Sequence, residues 1–195
     1  LREAWNILNA IAEGKIESGD EKKLNALKGE TMAVIALCQF DLTRCFGYPY
    51  TKDNGASLGA PLIDHLVGTY ENPSRSTVAQ AYDFIIETLE EAVTLMSEEK
   101  NNGRMNKYAA RALLARVYLY HNDNRKAFDM AEQLIKDVDA SGSYALYPHE
   151  KYVAAWSVET KFGSESFFEI ANSVDDTPGR DSWGYLLNWY GYQKG

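Results

Sequence analysis

Cysteine and basic residues are scarce in this chain of 195 residues, and their scarcity excludes several kinds of protein. The 20 Lys and Arg residues stand against 28 Asp and Glu residues, which gives a formal net charge of −8 at pH 7. Such a chain repels a phosphate backbone, so we expect no nucleic-acid partner. The two cysteines, Cys38 and Cys45, lie about 10.5 Å apart on one predicted helix, too far for a disulfide, so we expect buried free thiols.

Motifs of catalysis, cofactor binding and membrane insertion are also missing. The chain contains no apolar run of membrane length, no glycine-rich phosphate loop and no nucleophile-elbow serine. Its histidines, His65, His121 and His149, are isolated from one another and from the cysteines, so we expect no metal and no cofactor. We predict that the protein is not an enzyme. Because the chain starts without methionine and already in a helical pattern, we also expect a fragment of a longer protein.

Helical periodicity dominates the amino-terminal part of the chain. An apolar stripe at helical spacing predicts a helix over Leu1–Ala12. Asp20 is placed to cap a longer helix that ends near Phe46. The segment Thr77–Gln80 fits a capping box and is followed by a strongly amphipathic pattern. These signals predict three helices before the middle of the chain.

The texture changes after residue 139, where Gly, Ser, Pro and aromatic residues dominate. One short run there, Ser166–Ile170, has the composition of a strand. We therefore predict a single all-α domain over residues 1–195 with at most minor β-structure. Its helical repeats extend to about residue 139, and residues 140–195 form an irregular, loop-rich region.

The segment Asn106–Lys136 predicts two short helices joined by a tight polar turn, with Asn106 and Asn124 as caps. Small and bulky residues share the apolar face of each helix, and small residues let two helices approach closely. These residues are Ala112, Leu113, Ala115 and Tyr118 on the first helix, and Ala127, Phe128, Ala131, Leu134 and Ile135 on the second. The pattern is typical of a tetratricopeptide helix pair, a repeat of about 34 residues.

Both helices of this pair have a counterpart earlier in the chain. Ile35–Leu42 aligns with Arg111–Tyr118 at an offset of 76 residues, and Ala81–Leu89 aligns with Ala127–Ile135 at an offset of 46. The earlier unit is therefore 30 residues longer, and the extra length falls on Gly47–Arg75. Connections of that length are usually functional or disordered. Since this one is rich in tyrosine and aliphatic residues, we expect it to pack on the helices.

A family resemblance follows from several runs taken together. KGETMAVIALCQFDLTRCFGYPY, GAPLI, PSRSTVAQAYDFIIETLEEA, GRMNKYAARALLARVYLYHNDNRKAFDMAEQLI and GSYALYPHEKY…SESFFEIANS occur in that order over Lys28–Ser173. They resemble the SusD/RagB outer-membrane nutrient-binding proteins. The resemblance implies a tetratricopeptide-like scaffold in a cell-surface lipoprotein that catalyses nothing and passes glycans or peptides to a SusC-type TonB-dependent transporter. It also implies that the lipid anchor and much of the carboxy-terminal half lie outside this sequence.

Ligand binding is predicted in the aromatic-rich tail RDSWGYLLNWYGY. Flat rings can stack on the C–H faces of a sugar, while polar neighbours bind its hydroxyls. The predicted ligand residues are Arg180, Trp183, Tyr185, Asn188, Trp189 and Tyr190. The alternative is that these rings only pack a loop onto the helices. Weaker candidates of the same kind are Trp156 and the insertion tyrosines Tyr48, Tyr50 and Tyr70.

Our functional hypothesis is capture of an oligosaccharide, or less favourably a peptide, by loop aromatics on a rigid helical frame. The main alternative is a protein–protein interaction scaffold in which the rings are structural. A glycan-cleaving enzyme is a distant third, because it would need two carboxylates facing each other across a groove. Two further arginines, Arg75 and Arg104, are predicted to pin loops through hydrogen bonds to the backbone.

Overall fold

The computed structural model describes residues 1–101, 103–155 and 161–170. The all-α scaffold is confirmed: long helices form the frame, and the two strands are short. The helices are α1 (Arg2–Ala12), α2 (Glu21–Phe46), α3 (Val78–Leu95), α4 (Lys107–Tyr120), α5 (Asn124–Ser141) and α6 (Tyr152–Ala155). The strands are β1 (Leu58–Pro61) and β2 (Arg75–Thr77), and single 3-10 turns occupy Tyr50–Lys52 and His149–Lys151. None of the helices in the described ranges is both long and apolar enough to cross a membrane.

The predicted helix starts are confirmed for α2, α3 and α4. The Asp20 carboxylate accepts hydrogen bonds from the backbone N–H groups of the first turn of α2. Thr77 and Gln80 form the complete capping box of α3. The Asn106 side chain accepts from the N–H of Ala109 at 3.0 Å. Each cap satisfies N–H groups that have no partner within the helix.

The predicted cap of α5 is wrong by one residue. Asp123 is the cap, and its carboxylate accepts from the Lys126 N–H at 3.2 Å, while Asn124 is the first helical residue. Asn122 takes a left-handed backbone with φ of 70°, which turns the chain sharply after α4 and brings Asp123 to the cap position. Two adjacent residues with good capping chemistry made the choice depend on this turn geometry.

The helices pack as consecutive antiparallel neighbours. Near the start of α2, Lys28 pairs with Glu91 at 3.1 Å. Twelve residues further along, the Phe40 ring lies 6.1 Å from the ring of Tyr82 on α3. Helices α4 and α5 run antiparallel in the same way, and α3 and α4 join the two pairs. The predicted repetition of one helix pair is therefore seen as α2 with α3, followed by α4 with α5.

The main core lies between α2, α3 and α4. Its fully buried members include Ala33, Ala36, Phe40, Ile85, Leu89, Ala92, Ala110 and Val117. Small and large side chains alternate across these facing surfaces, which is how helices reach crystal-like packing density. Gly29 marks the closest approach of α2 and α3, since a Cβ there would lie 2.9 Å from the carbonyl oxygen of Ala92.

The predicted strand over Ser166–Ile170 is wrong. This segment forms turns, and its Phe167 ring packs on Tyr144 at 4.7 Å. A strand needs a hydrogen-bonded neighbour, and within the described residues the segment makes only isolated backbone contacts such as Glu169 N–H to Gly103 O at 3.0 Å. The strands lie instead in the insertion, where β1 and β2 pair antiparallel.

Two predicted burial patterns are also wrong. Cys38 is half-buried as a free thiol, but Cys45 is exposed, since it lies in the last turn of α2 beyond the packed core. On α5, Ala127 and Leu134 are buried against α4, whereas Phe128 and Ile135 of the same predicted apolar face are exposed. One neighbouring helix covers only part of an apolar arc of that width.

Candidate ligand-binding surface

The insertion after α2 is fixed to the helical frame by one fully buried glutamine. Gln39 lies in the middle of α2, and its amide nitrogen donates to the Pro61 carbonyl at 3.1 Å. The amide oxygen of the same side chain accepts from the Ile63 N–H at 3.2 Å. Both functions of the amide are used, so the buried polar group is satisfied and the loop after β1 has a fixed position.

A second anchor is the predicted backbone pin at Arg75, which the structure confirms. Its Nε donates to the Gly59 carbonyl at 2.7 Å, and its Nη2 donates to the Leu58 carbonyl at 2.9 Å. The matching prediction for Arg104 is wrong, because its guanidinium binds the Glu30 carboxylate. Glu30 lies on the neighbouring α2, and a charged partner within reach forms the stronger bond.

The turn KDNG closes on itself. The Asp53 carboxylate accepts the hydroxyl of Ser57, and this hydrogen bond lowers the pKa of Asp53. Asn54 and Gly55 follow with left-handed φ values of 54° and 74°. At Gly55 a Cβ would lie 2.7 Å from the backbone nitrogen of Ala79, so only glycine fits. Among the described residues, no three or more His, Cys, Asp or Glu side chains gather where they could hold a metal ion.

Tyr50 is a structural residue. Its ring lies 4.3 Å from the His121 ring and 5.6 Å from the Tyr82 ring, in the junction between α3 and the end of α4. His121 directly follows α4, as its predicted helix-end position requires. Burial raises the pKa of Tyr82 to about 12, so this ring cluster stays neutral at physiological pH. Tyr50 therefore anchors the start of the insertion.

Tyr48 and Tyr70, by contrast, point into solvent. Tyr70 is 95% exposed, and Tyr48 is also largely open. The Lys52 ammonium lies 3.0 Å from the centroid of the Tyr48 ring and covers one of its faces. The structure thus separates the three insertion tyrosines, leaving Tyr48 and Tyr70 as rings that a ligand can reach.

A cleft of about 360 Å³ lies between the insertion and the first turn of α1. Its rim carries His65, whose Nδ1 lies 2.6 Å from the Asp64 carboxylate and whose Nε2 lies 2.6 Å from the Glu71 carboxylate. The Asp64 bond and then the Glu71 bond raise the pKa of His65. Other lining residues include Arg2, Trp5, Ile63, Val67 and Thr69. An indole beside polar groups suits a small hydroxylated ligand.

A second cluster of rings and charges joins α2 to α4. The Arg44 guanidinium lies 4.9 Å from the Phe40 ring centroid and 5.4 Å from that of Tyr120, and it pairs with Asp41 at 2.5 Å. Arg116 approaches the same two rings at 5.9 Å. Hydrogen bonds from Arg44 and then Arg116 lower the pKa of Tyr120. The arginines stiffen the outer end of the two helices.

The largest cavity has the wrong chemistry for a sugar. It measures about 580 Å³ and lies between the first turns of α2 and the connection from α3 to α4. Its walls carry charged and aliphatic side chains such as Lys23, Glu30 and Met96, and no aromatic ring lines it among the described residues. Without a ring to stack on, a pyranose would have to rely on exposed, already paired charges. The cleft beside His65 is therefore the better candidate.

The predicted ligand residues of the tail lie outside the described residues. They are Arg180, Trp183, Tyr185, Asn188, Trp189 and Tyr190, and Trp156 lies outside them too. The prediction that these residues bind ligand stays a prediction. The cleft was not found from the sequence, because it needs α1 to meet residues more than fifty positions later. The only local signal was the closely spaced Asp64, His65 and Glu71.

Comparison with known proteins decides the family. The family model for SusD-like proteins described as starch-binding and associating with the outer membrane matches residues 1–119, more than half of the chain. The chain belongs to the SusD-like family. The predicted SusD/RagB resemblance is thereby confirmed. The matched residues run from α1 through most of α4, so they include the whole insertion and the cleft.

Solved structures of SusD-like proteins share this fold. A SusD superfamily protein from Bacteroides vulgatus is 95% identical, with a TM-score of 0.92, over 98% of this chain and 43% of its own. One from Bacteroides thetaiotaomicron is 40% identical, with a TM-score of 0.83, over 91% of this chain and 38% of its own. A SusD-like carbohydrate-binding protein from Bacteroides vulgatus is 24% identical, with a TM-score of 0.74, over 90% of this chain and 36% of its own.

This SusD-like chain therefore spans less than half the length of the solved relatives that it matches. No curated protein matches it. The expectation of a fragment agrees with this coverage.

Proposed function

We propose that the protein is a non-catalytic carbohydrate-binding component of an outer-membrane nutrient-uptake system. The observation that carries the proposal is the match of residues 1–119 to a family described as starch-binding and associating with the outer membrane. The 95% identity to a SusD superfamily protein supports it over nearly the whole chain.

The proposed mechanism is capture by stacking. The frame of α2, α3 and α4 is rigid, because its core is fully buried and closely packed. Rings held on this frame can bind the C–H faces of a sugar with little loss of conformational entropy. We assign this role to the tail residues Trp183 and Trp189, together with Tyr185, Tyr190, Arg180 and Asn188. The exposed rings of the insertion and the cleft beside His65 would extend the same surface.

Transfer of the captured glycan to a SusC-type TonB-dependent transporter is part of the proposal. So is an extracellular-facing location at the outer membrane, through a lipid anchor outside this sequence. The association with the outer membrane in the family's description supports both. Non-covalent capture requires no bond to be broken, so the site needs neither a nucleophile nor a paired general acid and base.

Calorimetric titration of the full-length protein tests the proposal. We expect saturable binding of starch-derived oligosaccharides, with no release of new reducing ends on prolonged incubation. Binding of peptides alone would replace the glycan by the peptide alternative. Absence of binding in both ligand classes would leave the interaction-scaffold alternative, and measurable hydrolysis would contradict the non-catalytic assignment.

Alanine substitutions then locate the surface. We expect Trp183→Ala and Trp189→Ala each to weaken glycan binding by about tenfold, since one stacked ring contributes roughly 1–2 kcal/mol. Leu146→Ala is the control, because Leu146 is exposed and belongs to neither aromatic region. Unchanged affinity with intact folding in both tryptophan variants would move the site to the insertion, where Tyr70→Ala is the next substitution.

A further inference from the structure

The apolar surface of α5 is divided between a covered face and a bare flank. Ala127, Leu134 and Val138 are buried against neighbouring elements. Phe128 and Ile135 lie one residue further round the helix and are 58% and 61% exposed. We call Phe128 and Ile135, which are seven residues apart and so on one side of the helix, the α5 flank.

The internal repeat shows what happens to this flank in the other helix pair. At the offset of 46 residues, Tyr82 and Leu89 of α3 are the counterparts of Phe128 and Ile135. Tyr82 is 3% exposed and Leu89 is 0% exposed. The same two positions of one repeating unit are therefore buried in its first copy and bare in its second.

The helix that covers the flank of α3 is α4. The two run antiparallel, since the Tyr118 hydroxyl donates to the Glu90 carboxylate at 2.5 Å and the backbone N–H of Lys107 donates to the Ser97 carbonyl at 2.8 Å. Leu89 shares one core with three residues of α4, namely Ala110, Leu114 and Val117. In the described part of the chain, no helix holds the corresponding place beside α5, because its flank remains exposed.

We propose that the α5 flank is the docking surface for a further helix of the same polypeptide, placed as α4 is placed on α3. The chain covers only 43% of the solved protein to which it is 95% identical, so the whole protein is long enough to supply that helix. The occupant is an amphipathic helix with the α4 pattern, a small residue followed by aliphatic residues four and seven positions later. In repeat architectures each unit buries the apolar face of its neighbour, so this contact continues the stack beyond α5.

Thiol accessibility in the full-length protein tests this placement directly. In a background carrying Cys38→Ala and Cys45→Ser, Ile135→Cys is compared with Leu146→Cys, since Leu146 is 86% exposed. We expect a water-soluble maleimide to label position 135 at least about 100-fold more slowly, because labelling then requires local opening. Equal labelling rates at the two positions would overturn the proposal.

Stability gives an independent readout that keeps the test decisive. In the full-length protein we expect Phe128→Ser and Ile135→Ser to lower the unfolding midpoint by on the order of 5 °C each, and Leu146→Ser by less than about 1 °C. If a serine variant fails to fold, Ile135→Val removes a single methylene and should still lower the midpoint measurably. Midpoints equal to wild type for all flank variants would show that the flank is open.

The remaining outcome is a second copy of the protein on the same flank. Protection of Ile135→Cys that disappears on dilution, in step with dissociation of a dimer followed by light scattering, would assign the flank to self-association and overturn the intramolecular docking. Protection that is independent of protein concentration supports it.

Discussion

Gln39 is predicted to control the position of the insertion while contributing little to the helices themselves. Gln39→Met keeps the size of the side chain but removes the two amide contacts, at 3.1 Å to the Pro61 carbonyl and 3.2 Å to the Ile63 N–H. Both backbone partners are part-buried and lose their hydrogen bonds together. Leaving each of them unsatisfied costs about 1–2 kcal/mol, so we expect a loss of roughly 2–4 kcal/mol in the free energy of unfolding.

Urea unfolding of the full-length protein measures this loss, with Gln133→Met as the matched control. Gln133 is exposed on α5 and makes one hydrogen bond, to Asp137 at 2.9 Å, so its replacement should cost less than about 0.5 kcal/mol. Limited proteolysis adds a local readout, since cleavage within residues 58–66 should accelerate in Gln39→Met alone. If both variants unfold at the same urea concentration and are cleaved at the same rate, Gln39 does not anchor the insertion.

Three further predictions concern the insertion and the helix ends. The pKa of His65 is raised from 6.5 in the folded state, so its stabilising effect is full below pH 6.5 and is lost as the pH rises through the folded pKa. The gap between the unfolding midpoints of wild type and His65→Gln should therefore shrink from pH 6 to pH 9. Gly55→Ala should cost about 2 kcal/mol or more by urea unfolding, because of its φ of 74° and its contact with α3, whereas Gly19→Ala meets no neighbour and should be silent. Asp123→Ala should lower stability by about 1 kcal/mol and Asn124→Ala should not; the reverse order would restore the cap predicted from the sequence.

The helices could be predicted from the sequence because their causes are local. Asp20 and Thr77 satisfy N–H groups two or three residues away, so their pattern is visible in a short window. The repetition of one helix pair was equally visible, since both copies carry similar residues in the same order. The family followed from the order of several such segments and is confirmed by the match over residues 1–119.

The features that failed depend on contacts distant in sequence. Periodicity placed Phe128 and Ile135 on an apolar face but could not show that α4 covers only part of it. The strands of the insertion pair residues about fifteen to twenty positions apart, and Gln39 reaches more than twenty positions ahead. The division of the chain near residue 139 and the ligand residues of the tail stay predictions.

The insertion and the α5 flank show two different ways of attaching structure to the same frame. The insertion is irregular, so its backbone groups need partners, and side chains such as Gln39 and Arg75 supply them at fixed points. Tyr48 and Tyr70 lie between those points and touch neither anchor, so a change of ring there alters the ligand surface without loosening the loop. The α5 flank is regular and apolar, so only another packed helix can cover it. Ligand preference can therefore vary in the polar-anchored insertion while the apolar flanks keep the stack of helices in register.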